Sequence, residues 1–97
     1  MWLLIDDYRE LGCDVLARNA EAGKDMLRRG DWECVALDHD LGGQETGYDV
    51  LVWAIENGLL PMKVQLVSSN PVGVKRMQSA LEAEGYSSID GINYTKP

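Results

Sequence analysis

Apolar runs with strand character alternate with helix-patterned segments along this chain, and four of the runs finish in acids, hydroxyls or a lysine. Trp2-Leu3-Leu4-Ile5 leads into Asp6-Asp7, and Cys34-Val35-Ala36-Leu37 into Asp38-His39-Asp40. Val64-Gln65-Leu66-Val67 leads into Ser68-Ser69, and Gly91-Ile92-Asn93-Tyr94 leads through Thr95 to Lys96-Pro97. Strands that alternate with helices build a parallel sheet, so all four runs are expected to end on one edge. Ligands of open parallel sheets bind outside that carboxyl edge. The reading therefore gathers Asp6, Asp7, Asp38, Ser68 and Lys96 from distant parts of the sequence.

The segments between the runs carry helix signals. Asn19 is the expected N-cap of a helix from Ala20 to Arg29, with Ala22, Met26 and Leu27 on its apolar face and Gly30 as its stop. Thr46-Gly47-Tyr48-Asp49 has capping-box spacing and opens a second helix reaching about Asn57, with Leu51, Ala54 and Ile55 as its stripe. Asn70-Pro71 caps and starts a third, which carries Val74, Met77 and Leu81 and ends at Gly85. Asp14-Val15-Leu16-Ala17 reads as a further, short strand. Only Tyr8 to Cys13 separate it from Asp7, whereas a parallel crossover containing a helix takes about 10–12 residues or more. Six helical residues cover only about 9 Å. Fully extended they reach about 20 Å, enough to return along a strand of about 17 Å. An extended return without a helix is predicted. An antiparallel second strand is the competing topology, and it would carry Asp38 away from Asp6 and Asp7.

The order of acid pair, single Asp, Ser and Lys-Pro resembles the receiver domain of two-component signalling. The loop Asp38-His39-Asp40-Leu41-Gly42-Gly43 through Gly47-Tyr48-Asp49-Val50-Leu51 is similar to the loop after the third receiver strand, with a Gly where receivers usually have Pro and one residue more. The Leu37-Asp38-His39-Asp40-Leu41-Gly42 string and the missing first helix are similar to a divergent receiver-like group named for predicted cyclic-phosphate processing. The resemblance implies an α/β flavodoxin-like receiver fold with a five-stranded, mostly parallel sheet of order 2-1-3-4-5, reduced by loss of the first and last helices. It implies Asp6 and Asp7 as acids for Mg²⁺, Asp38 as metal ligand and phosphoacceptor, Ser68 as the switch hydroxyl, and Lys96 as the lysine that contacts a phosphoryl group. Losing both helices would leave one sheet face bare, with large apolar side chains exposed; such patches mark association sites. A homodimer or a protein partner on that face is the expectation.

Composition limits the alternatives. Ninety-seven residues make one small domain, 1–97, and 45% hydrophobic content with three Trp and four Tyr is enough for a packed core. The net charge of −7, from 16 acids against nine Lys and Arg, argues against direct binding of duplex nucleic acid. No apolar run approaches the roughly 18 residues of a membrane span. Two cysteines, and a first strand that starts almost at Met1 with no room for a leader, predict reduced thiols and a cytoplasmic location.

The chemistry follows from the residue types. Mg²⁺ takes carboxylate oxygens together with phosphate oxygens and waters, and a carboxylate is an established nucleophile toward phosphoryl groups. Ser68 could donate a hydrogen bond to such a group and Lys96 offset its charge. Asp40 is a further candidate metal ligand, and His39, the single histidine, is a candidate general acid or base. Three functions are open on these grounds. One is a stand-alone domain that binds Mg²⁺ and senses or processes a phosphate group of a small molecule, such as a cyclic phosphate or nucleotide. The second is a phosphorelay receiver phosphorylated on Asp38, and the third is a non-catalytic adaptor or inhibitor that binds protein through the bare face.

Overall fold

A computed structural model describes residues 1–10 and 12–97. Five strands and three helices follow in the order β1 (Trp2–Ile5), β2 (Val15–Ala17), α1 (Ala20–Arg29), β3 (Cys34–Leu37), α2 (Gly47–Glu56), β4 (Lys63–Leu66), α3 (Pro71–Ala83) and β5 (Asn93–Thr95). The sheet order is β2-β1-β3-β4-β5. The first four strands are mutually parallel, with Leu4 opposite both Leu16 and Ala36, and Leu37 opposite Leu66. This is the reduced receiver fold expected from the sequence.

Local chemistry fixes the helix starts. Asn19 accepts the Ala22 N–H at 2.9 Å and Asn70 accepts the Gly73 N–H at 3.1 Å. Thr46 and Asp49 form a reciprocal capping box. The return from β1 to β2 contains no helix among the described residues. It begins in a tight turn in which Asp6 Oδ1 accepts the Tyr8 and Arg9 N–H groups, each at 3.0 Å. It ends where Asp14 takes up both backbone groups of Trp2, donating to its carbonyl at 3.1 Å and accepting its N–H at 2.7 Å.

The three helices form one layer on one side of the sheet, since α2 packs against both α1 and α3. Alternate strand residues Leu3, Ile5, Val35, Leu37, Val64 and Leu66 point into that layer and meet Leu27, Leu51, Met77 and Leu81. Each fully buried side chain of this size contributes about 1.5–3 kcal/mol, so the two central strands, which carry the acids at their ends, are the most firmly held.

One expectation is corrected here. The fifth strand runs antiparallel to β4, with Lys63 opposite Thr95 and Gln65 opposite Asn93. After α3 the chain pairs Ser87 with Thr95, turns through 88–92, and comes back down as β5. The turn is tied by Asp90, whose Oδ1 accepts the Ile92 and Asn93 N–H groups, each at 2.8 Å. On the face without helices, Leu4, Cys34 and Ala36 are buried, and Leu4 is fully inaccessible. Trp2, Lys63, Asn93 and Thr95 are the exposed strand residues there, with Leu16 and Gln65 half-buried.

Candidate functional site

The parallel pairing of β1 with β3 sets Ile5 beside Leu37, so the residues that follow them, Asp6 and Asp38, lie side by side at the carboxyl edge. Carboxylate oxygens of Asp6, Asp7 and Asp38 all lie within 4.8 Å of one another. Asp6 is fully buried and Asp38 is 3% exposed, whereas Asp7 is exposed. The pocket thus has a dry floor and one acid open to solvent.

Arg9, which sequence reasoning did not single out, closes this cluster. Its guanidinium lies 3.1 Å from Asp6 Oδ2 and 3.4 Å from Asp38 Oδ2. The turn in which Asp6 Oδ1 accepts the Arg9 N–H returns the side chain over the same acid. The two buried acids differ in character. Burial pushes Asp6 up, but the Arg9 and Tyr8 N–H groups and the guanidinium outweigh it and hold the carboxyl below its ordinary value. Burial also pushes Asp38 up, and the Ser68 hydroxyl, the Asp40 N–H and Arg9 do not fully offset it, with the Asp6 charge adding to the rise.

Ser68, at the end of β4, faces Asp38, and its Oγ accepts the Asn70 N–H at 3.1 Å. Close packing holds the loop after β3 in place. Gly47 donates to the His39 carbonyl at 2.7 Å, and a Cβ there would collide with the Asp38 carbonyl. A Cβ on Gly73 would likewise collide with the His39 ring.

Asp40 and His39 do not join the acidic cluster. The Asp40 carboxylate accepts from His39 Nδ1 at 3.0 Å and from Asn70 Nδ2 at 3.3 Å. Those bonds hold its carboxyl below the ordinary range, and Asp40 is not one of the three acids whose oxygens gather in the cluster. His39 is 8% exposed, and its Nε2 is enclosed with no hydrogen-bond partner. Held between Asp40 and the first turn of α3, the ring is arranged to position the loop.

Lys96 is absent from the site. The antiparallel β5 carries it to the amino end of β4, where its N–H donates to the Met62 carbonyl at 2.9 Å. Its ammonium lies 3.4 Å from Glu84 Oε1 and over the Tyr86 ring. The expectation that Lys96 contacts a phosphoryl group depended on a parallel fifth strand, and it is corrected with that strand.

Comparison with curated proteins gives no match. The family described as the cyclic-phosphate processing receiver domain matches residues 1–83. The matched stretch runs from β1 to the end of α3 and contains Asp6, Asp7, Arg9, Asp38 and Ser68, while the antiparallel β5 falls outside it. Most of the chain, including every residue gathered at the carboxyl edge, follows one family pattern, and the chain belongs to the cyclic-phosphate processing receiver domain family.

Proposed function

We propose that the pocket holds Mg²⁺ and binds the phosphate group of a small molecule, a cyclic phosphate or nucleotide, for sensing or processing. The observation that carries this reading is the oxygen-only cluster of Asp6, Asp7 and Asp38 beside the Ser68 hydroxyl. Three carboxylates without nitrogen or sulfur donors suit a hard divalent cation, which would be held by Asp6, Asp7 and Asp38. When bound, the ion supplies Lewis-acid polarisation and charge neutralisation at a phosphate oxygen. Ser68 donates a hydrogen bond to that group, and the packing of Gly47 and Gly73 fixes the loop that presents Asp38. The position of Lys96 at the opposite edge takes support away from ordinary phosphorelay, in which a lysine contacts the phosphoryl oxygens.

The test is turnover and binding of nucleoside 2′,3′- and 3′,5′-cyclic phosphates with and without Mg²⁺, in the wild type and in Asp38→Asn. Mg²⁺-dependent hydrolysis lost in the variant identifies a processing site. Mg²⁺-dependent binding without hydrolysis identifies a sensor. The absence of both binding and turnover contradicts the reading.

A further inference from the structure

We propose that Arg9 is the phosphate-binding cation of this pocket, parked on the metal carboxylates until a divalent ion takes them over. The inference rests on reading the pocket as a Mg²⁺ and phosphate site. Receiver chemistry calls for a basic group beside the acids, and the structure puts Lys96 at the far edge of the sheet. Among the described residues, Arg9 is the Lys or Arg side chain that pairs with the pocket acids.

Charge and geometry both favour the role. Three carboxylates (−3) and one guanidinium (+1) leave −2 in the pocket, the charge that one divalent ion neutralises. Arg9 reaches Asp6 and Asp38 through one nitrogen, at 3.1 and 3.4 Å, and so binds two of the three carboxylates that the ion itself needs. The two cations compete. Displacement does not require the backbone to move, because the Arg9 N–H is bonded to Asp6 Oδ1 and its carbonyl accepts from Arg18 at 2.8 Å. The side chain is 22% exposed, so Arg9 is not sealed inside the fold. Once released, a planar guanidinium tethered over Asp38 is suited to two parallel hydrogen bonds with a phosphate. The sequence connects the two departures from the usual receiver: the return that replaces the first helix also carries the cation that substitutes for the absent lysine.

The experiment is calorimetric titration of the full chain with Mg²⁺ alone, then with beryllofluoride at saturating Mg²⁺, in wild type, Arg9→Gln and Arg9→Lys. Removing the competitor should tighten Mg²⁺ binding in Arg9→Gln about threefold or more, since the buried acids lose the cation paired with them. Losing a charge-assisted donor should weaken beryllofluoride roughly ten- to hundredfold. Arg9→Lys, which keeps the charge and loses the fork, should fall between the two in both titrations, and it carries the comparison alone should Arg9→Gln fail to fold. Wild-type affinity for beryllofluoride in the variants, or weaker Mg²⁺ binding, overturns the role of Arg9 while leaving the pocket standing. Wild type and variants alike silent to both probes overturns the pocket reading together with the role.

Discussion

At Asp38, burial and the nearby Asp6 charge act against ionisation more strongly than the Ser68 hydroxyl, the Asp40 N–H and Arg9 act for it. Its folded pKa lies above the unfolded value near 3.8, so ionised Asp38 costs stability in the metal-free protein, and that cost disappears as pH falls through the raised pKa. Asp6 has the opposite sign. Its depressed pKa contributes stability that is present above the ordinary carboxylate value and lost as pH falls through the folded one. Protons at Asp38 compete with Mg²⁺ for the same oxygens. Titrations at successive pH values from about 7 to about 4 should therefore show Mg²⁺ affinity declining at a higher pH than an exposed carboxylate near 3.9 would give. Affinity that holds down to that ordinary value would contradict the buried setting of Asp38. At this scale the sequence showed which acids would meet. It did not show Arg9, because an ion pair that spans two strand ends leaves no periodic trace, and it did not show that Asp40 turns to His39 and Asn70.

Helices and parallel strands were legible because each carries its own local chemistry. Asn19, Thr46 and Asn70 are N-caps by virtue of their side-chain oxygens, and the short spacing from Asp7 to Asp14 leaves no room for a helix. β5 was misread because its apolar alternation gives a strand but no direction. The directional signal was Asp90-Gly91, a hairpin-type dipeptide that the strand reading split. Asp90 holds the turn through the Asn93 and Ile92 N–H groups, the Asn93 amide and the Ser88 hydroxyl, and these bonds keep its carboxyl far below the usual range. The stabilisation is present above the ordinary carboxylate pKa and is lost only in strong acid. Asp90→Ala should therefore speed amide exchange at Ile92, Asn93 and Thr95 and leave exchange in β1 and β3 unchanged. Unchanged exchange in β5 would show that strand pairing, rather than the Asp90 turn, sets its direction.

Across the whole molecule, one layer of helices fixes one end of the sheet as the place for chemistry. Three parallel connections deliver Asp6, Asp38 and Ser68 to the carboxyl edge, and the antiparallel β5 delivers Lys96 to the other. The family pattern covers the part of the chain that builds the pocket and ends before the strand that departs from it. No helix among the described residues is long and apolar enough to cross a membrane. The sheet face opposite the helices presents mainly polar groups around Trp2. Buried side chains on the helix side were predictable from alternation, whereas the burial of Leu4, Cys34 and Ala36 on the opposite face carries no periodic signal. The central claim is a working Mg²⁺ and phosphate pocket at one edge, and amide NMR during addition of Mg²⁺ and then beryllofluoride tests it most directly. Saturable shifts at Asp6, Asp7, Arg9, Asp38 and Ser68, with Lys96 silent, are the predicted result; unshifted resonances at the acids, or shifts centred on Lys96, would contradict it.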